Sequence, residues 1–269
     1  MKIEIKYKTI YNYSTVVPKL IQSIKLHPTK CINQEIIKWN ISINCGKLVE
    51  SHIDGLGHKI HNIFNKNFSG QLEIEAQGVV KTKDLSGVMK GLKDKVHPFC
   101  FLRQTNLTNP CENILKISKK AEKKKNSPVD FVHRINLLVS ESIKYKSGST
   151  SNSTCVSQAL KLGEGVCQDF AHIMISVARL NNLPARYING FLLEDSNSGE
   201  NSTHAWVEIF INDLGWVAFD PSHKRCIDEN YVRISAGLDF FDASTIKGIK
   251  INYSGNEKLE SKVLIRNCQ

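Results

Sequence analysis

The chain has 269 residues, of which 41% are hydrophobic and 23% charged; this composition supports a packed core and excludes disordered or collagen-like chains. Its 36 Lys and Arg against 26 Asp and Glu give a formal net charge of +10, a balance that can favour nucleic acid or an anionic surface. There is no aromatic-interleaved basic motif and no zinc-finger spacing, so nucleic-acid binding is not expected; no run nears the roughly 20 apolar residues of a bilayer span, so membrane insertion is not expected either.

The eight cysteines, at positions 31, 45, 100, 111, 155, 167, 226 and 268, are scattered without a C-x-x-C pair. That spacing argues against a structural zinc site and a dense disulfide scaffold and for reduced, packed thiols. Residues 1–8 alternate charged and apolar side chains and lack the continuous apolar segment of a secretory signal, so the expected compartment is the cytoplasm. Length suggests two domains.

Residues 1–85 read as a small antiparallel β-domain. Ile3, Ile5 and Tyr7, then Trp39, Ile41 and Ile43, then Leu72, Ile74 and Ala76 repeat at period two, the signature of half-buried strands. Turn signals divide them at Val17-Pro18, His27-Pro28, Asn44-Cys45-Gly46, Asp54-Gly55-Leu56-Gly57 and Ser69-Gly70. His52, His58 and His61 fall close together and are read as part of a polar turn rather than a metal site. Residues 86–126 form a lysine-rich connector, partly helical, whose run from Lys116 to Lys125 reads as a solvated linker. The third region, 127–269, opens with a helix at Ser127-Pro128, where serine suits the N-cap and proline the first helical position. Val132, Ile135 and Val139, flanked by Phe131, Leu138 and Ser142, give that helix an apolar face for packing.

The stretch from Gly163 to Pro184 carries chemistry. Two glycines precede Cys167, and Phe170, Met174, Val177 and Ala178 then share one face of a helix that Asn181, Asn182 and Pro184 terminate. Cys167 therefore sits in the first helical turn, where unpaired amides and the helix dipole favour a thiolate. Glycines on the approach let a substrate come near, and the Cys167 amide points where an oxyanion forms. Beyond the helix, residues 185–193 read as a strand and 194–202 as a polar loop. Residues 203–211 and 215–220 read as a hairpin that makes His204 and Asp220 neighbours across the ladder. A carboxylate beside an imidazole fixes its tautomer, and the imidazole can then deprotonate a thiol. Cys167, His204 and Asp220 thus form a candidate triad. His172 lies five residues on, about 140° around the helix from the thiol, and is read as a packing residue. His223 reaches the site only if the loop after Pro221 folds back. Asp169 caps the first turn or supports Cys167.

Gly165-Val-Cys-Gln-Asp-Phe-Ala-His172, Pro184-Ala-Arg-Tyr187, His204-Ala-Trp-Val-Glu208 and Gly215-Trp-Val-Ala-Phe-Asp-Pro221 resemble bacterial transglutaminase-like proteins. Tyr11-Asn-Tyr13, Leu26-His-Pro28 and Asp54-Gly-Leu-Gly57 resemble that family's N-terminal β-domain, and Gly237-Leu-Asp-Phe-Phe-Asp242 with Gly248 its tail. The resemblance implies an α+β fold: a papain-like transglutaminase core, its cysteine-bearing helix packed on antiparallel sheet, behind a small antiparallel β-domain. It assigns Cys167 as nucleophile, His204 as general acid and base, and Asp220 as orienting carboxylate. Leu238 stands where the family usually has arginine, and His58 where asparagine is usual.

The expected activity is cysteine-dependent acyl transfer on a protein or peptide amide through a thioester, with hydrolysis favoured over transfer to an amine. Tyr145 and Gln158, both upstream of Cys167, are candidates for a second oxyanion donor. No cofactor or metal is expected, and no dense acidic loop suggests calcium. Two alternatives remain at this point: a non-catalytic peptide-binding module of the same fold, and a zinc site made by Cys167, His204 and Asp220.

Overall fold

Strict alternation builds the first sheet. In β1 (Lys2–Ile24), Ile3, Ile5 and Tyr7 point inward while Lys2, Glu4 and Lys6 face solvent, as period-two side-chain geometry requires. After β2 (Gln34–Ile43) and β3 (Lys47–Ile53), the chain returns as β4 (Lys59–Thr82), which pairs antiparallel with β1 along nearly its whole length and also holds β2 and β3. A register shift between Tyr13 and Val17 marks a bulge in β1. The structure, a computed structural model, describes residues 1–122, 127–194 and 203–268; most of the polar loop at 194–202 and the end of the lysine run lie outside these residues.

The connector crosses the second sheet instead of hanging between two bodies. Ala218 N donates to Gly87 O at 2.8 Å, and Met89 N to Trp216 O at 2.8 Å. After a short 3₁₀ turn at Pro98–Leu102, α1 (Glu112–Glu122) buries Ile114, Ile117, Ser118 and Ala121. The described part of the lysine run is therefore the solvent side of a packed helix and not a linker, with Lys116, Lys119 and Lys120 outward. Next comes α2 (Pro128–Ser140), where Ser127 Oγ accepts from Asp130 N at 3.1 Å and so caps the helix as its residue type suggests.

Then follow β5 (Lys144–Tyr145), α3 (Val156–Leu162), β6 (Glu164–Gly165) and α4 (Cys167–Leu180). The remaining strands of the core are β7 (Ala185–Leu192), β8 (Thr203–Ile211), β9 (Gly215–Asp220), β10 (Arg225–Cys226) and β11 (Tyr231–Gly237), in the antiparallel order β10-β9-β8-β7-β11. Helix α4 lies on one face of this sheet with α1 and α2, sharing a core that includes Phe131, Ile135, Met174, Val177, Val207 and Phe219. The fold is thus mixed helix and antiparallel sheet with a β-rich N-terminal region. No helix among the described residues is long and apolar enough to cross a membrane.

The segment after the short helix α5 (Phe240–Ala243) departs from its expected place in the 127–269 region. Both β12 (Ile246–Ile251) and β13 (Glu257–Asn267) pair with β1, so the first sheet takes strands from both ends of the described chain. The two sheets also share a core: Phe191, Val232 and Ile234 pack with Ile3, Ile5 and Leu20, and the Tyr7 and Phe191 rings lie 5.8 Å apart. Period-two patterning identifies a strand but not its partner, which is why the tail's destination was hidden.

Candidate active site

Local backbone chemistry places the thiol. Gly163 ends α3 with φ +71°, a left-handed conformation that glycine adopts without Cβ strain. Lys144 N then bonds Gly163 O and Lys146 N bonds Gly165 O, both at 2.9 Å, which pins the approach to the helix. A Cβ at Gly165 would lie 2.8 Å from Asp169 Cβ and 2.9 Å from Ile143 Cδ1. Only glycine leaves room there. Asp169 Oδ2 accepts from Val166 N at 2.8 Å and from Thr150 Oγ1 at 2.6 Å, holding the turn from inside α4. Cys167 is consequently the first residue of α4, among amides that no intrahelical carbonyl satisfies.

His204 comes from β8, opposite Gly190 of β7. A Cβ at Gly190 would meet Val232 O at 2.2 Å and the Trp206 ring at 2.5 Å, so this glycine lets the strands close around the site. Asp220, at the end of β9, is fully buried, and His204 is 8% exposed. His204 Nε2 and Asp220 Oδ2 are 2.6 Å apart, and His204 also hydrogen-bonds Cys167. With Nε2 committed to the carboxylate, the cysteine contact falls to Nδ1. Burial disfavours the imidazolium, but the Cys167 charge and the hydrogen bonds to Asp220 and Cys167 outweigh it and push its pKa up to about 10. Burial likewise opposes the Asp220 carboxylate, yet hydrogen bonds from His204 and His223 hold it well below the usual carboxylate range. The structure brings Cys167, His204 and Asp220 together as one hydrogen-bonded series.

The supporting candidates separate. Tyr145 stacks on Phe170 at 6.4 Å, and burial followed by the charges of Cys167, Glu194 and Asp220 raises its hydroxyl pKa. Gln158 is taken up by its own helix, because its Oε1 accepts from Cys155 N at 2.9 Å and caps α3. Asp169 supports the cysteine turn, as described above, and burial raises its pKa. His172 is buried beneath the helix, accepting from Phe240 N at 3.1 Å, with its pKa lowered to about 3 by burial.

Three further residues reach the carboxylate: His223, whose approach the sequence made conditional on the loop, and Ser222 and Tyr231, which the sequence did not single out. After Pro221 the loop does fold back: Ser222 N and His223 N donate to Asp220 Oδ1 at 2.9 and 3.3 Å, and His223 Nδ1 lies 2.8 Å from Oδ2. Tyr231 OH donates to the same oxygen at 2.9 Å. The Asp-Pro-Ser-His order carried a usable signal, since Asp side chains accept from amides two residues on in Asx turns; nothing in the local pattern marked Tyr231.

Other motif residues build scaffold. Glu208 accepts from Arg186 Nε at 2.6 Å and Arg233 Nε at 2.8 Å, and Arg186 also pairs with Asp94. The Arg186 guanidinium stacks 3.9 Å from the Trp216 ring centroid. His58 joins Asp54 Oδ2 at 2.8 Å and accepts from Ala236 N at 2.9 Å, tying the β3–β4 turn to β11. Leu238 packs in the core under the connector, and its carbonyl accepts from Arg179 Nη2 at 2.6 Å. Among the described residues, the group with metal-ligand proximity is His204, Asp220 and His223, not the histidines at 52, 58 and 61.

Residues 116–221 match the family model described as the transglutaminase-like superfamily, and residues 3–81 match the bacterial transglutaminase-like N-terminal region. Uncharacterized proteins of Mycobacterium bovis and Mycobacterium tuberculosis are each 34% identical over 129 residues, 44% of this chain and 41% of theirs. The matched segment thus spans about two fifths of those curated relatives. A solved structure of a candidate cysteine protease from Cytophaga hutchinsonii superposes with a TM-score of 0.73 at 22% identity, covering 100% of this chain and 92% of that one. That likeness establishes the fold.

Proposed function

Because the chain carries a transglutaminase-like superfamily core behind a bacterial transglutaminase-like N-terminal region, we propose that it is a cysteine-dependent acyl-transfer enzyme that hydrolyses peptide or isopeptide amides. The observation that carries this reading is the placement of His204 between Cys167 and the buried Asp220. The Cys167 sulfur attacks the amide carbonyl, and the imidazolium of His204 gives its proton to the departing amine. The carbon–nitrogen bond breaks, leaving a thioester on Cys167. His204, now neutral, removes a proton from water, which attacks the thioester; the carbon–sulfur bond breaks, the acid product leaves and loses its proton to solvent, and the thiolate and imidazolium return.

Charge on the carbonyl oxygen develops beside the amide-rich start of α4, where the Cys167 N–H donates. The hydroxyl of Tyr145, whose ionisation feels the Cys167 charge, is the side chain offered for the second hydrogen bond. Asp220 keeps His204 in one tautomer and stabilises its positive form.

A glutamine-containing peptide incubated with and without a lysine-like amine, with products weighed by mass spectrometry, tests the reading. The expected result is a 1 Da gain from amide-to-acid conversion, or backbone cleavage, that disappears in Cys167→Ala. A dominant amine adduct would reassign the enzyme to transfer, and equal turnover by Cys167→Ala would remove the proposal.

A further inference from the structure

Oxygen Oδ2 of Asp220 meets three donors: His204 Nε2 at 2.6 Å, His223 Nδ1 at 2.8 Å and Tyr231 OH at 2.9 Å. Its companion Oδ1 takes Ser222 N, Ser222 Oγ and His223 N. The ionised carboxylate only accepts, so both ring nitrogens carry hydrogens toward it, and three donors divide the charge of an oxygen with about two lone pairs. The triad itself uses one of them. Ser222 and Tyr231 offer hydroxyls and an amide, whereas His223 sets a second imidazole on the oxygen that His204 uses, and the triad gives that ring no role.

We propose that His223 is a positioning residue that shares Asp220 Oδ2 with His204 and so limits how much of the carboxylate's charge reaches the catalytic imidazole. This inference rests on the reading of Cys167 as nucleophile and His204 as its base. Amide cleavage makes opposed demands on His204: it holds positive charge beside sulfur, then surrenders a proton to a leaving amine. Undivided attraction from Asp220 strengthens the first and obstructs the second. The His223 ring lies 5.2 Å from the His204 ring and is about one-third exposed. In its neutral form it draws Oδ2 charge through the hydrogen bond. In its protonated form it adds like-charge repulsion. Both forms ease proton release from His204.

The surrounding groups set the same balance. His204 faces Cys167 of α4, Asp220 of β9 and Tyr231 of β11, whose hydroxyl also accepts from Arg225 Nε at 3.1 Å. On β5, the Tyr145 hydroxyl feels the charges of Cys167, Glu194 and Asp220. His223 faces Asp220 and, through Nε2 at 3.6 Å, Glu194, two residues past β7. Donation to Asp220 from Nδ1 and to Glu194 from Nε2 together needs the protonated ring, whereas the neutral Nδ1–H ring donates to Asp220 alone.

The test follows the His204 ring by NMR titration in the full chain, together with the acylation rate on a peptide amide. In His223→Ala and in His223→Phe, which keeps a ring without a donor, the His204 deprotonation midpoint is expected to rise by about half a pH unit or more and acylation to slow. His223→Asn places a neutral donor near the same oxygen and is expected to bring both readings back toward the wild type. An unmoved or lowered midpoint in the Ala and Phe variants, or Asn behaving like them, overturns the proposal. Iodoacetamide labelling of the wild type separates the two readings. Selective alkylation of Cys167 with an unmoved midpoint removes only the role of His223, whereas unselective alkylation removes the nucleophile assignment beneath it.

Discussion

His204 and Asp220 are 16 positions apart in the chain, yet their side chains meet at 2.6 Å because β8 and β9 form one antiparallel hairpin. The pairing of Val207 with Phe219 fixes the register, and three residues before Val207 on β8 the imidazole turns toward the strand-end carboxylate. A one-residue slip would send His204 to the opposite face of the sheet. Hairpin register is therefore part of the catalytic apparatus.

Cys167→Ala is expected to abolish amide turnover while leaving thermal unfolding cooperative, because a small side chain replaces a small one at the start of α4. In the wild type, iodoacetamide near neutral pH is expected to modify Cys167 ahead of Cys100, the exposed cysteine among the described residues. Peptide mapping by mass spectrometry reads both rates. Faster modification of Cys100 would contradict the assignment.

Replacing His204 by Ala removes the group that moves the proton, so kcat is expected to fall by about 10²–10⁴-fold. Iodoacetamide labelling of Cys167 should slow in parallel, since the sulfur loses its imidazolium partner. A fall in kcat without slower labelling would give His204 a role in the leaving-group step alone.

Protonation of His204 also stabilises the fold over a defined pH window. Its folded pKa, raised to about 10, lies above the ordinary value of 6.5, so the contribution is complete below about pH 6.5 and is lost as pH rises toward 10. The difference in urea midpoint between wild type and His204→Asn is expected to shrink across that interval. A difference that grows with pH would reverse the sign of the coupling.

Glu208→Ala is expected to destabilise the protein by roughly 3–5 kcal/mol, because it strands the buried guanidiniums of Arg186 and Arg233 without their shared carboxylate. Urea denaturation measures the loss. A change below about 1 kcal/mol would mean that water or Asp94 replaces Glu208.

How much of this was legible in the sequence depended on range. Gly163, Gly165 and Cys167 act through the geometry of one turn, and the His204–Asp220 contact through one short hairpin, so local spacing exposed them. The Asp220 contacts with Ser222 and His223 were within the reach of turn chemistry, but that turn's direction was open. Tyr231 arrives on a strand that neighbours β7, across the sheet from β9, and the tail crosses to β1; such placements depend on which edges meet, information absent from any short window. The motif residues Arg186 and Glu208 carry the family resemblance beside His204 yet form a buried electrostatic brace. Short motifs record what must stay together, whether for chemistry or for support.

The pairing of Ile3 with Asn267 has a consequence for how the protein comes into being. During synthesis from the N-terminus, β1 and β4 emerge early, while the β1 edge that receives β12 and β13 waits for some 160 further residues after Thr82 to leave the ribosome. Through that interval an incomplete sheet offers bare amides and carbonyls to passing chains, an opening for misassembly. Bringing the distant strands home incurs a large loop-closure entropy, so final maturation should be slow relative to formation of the nearby β8–β9 hairpin.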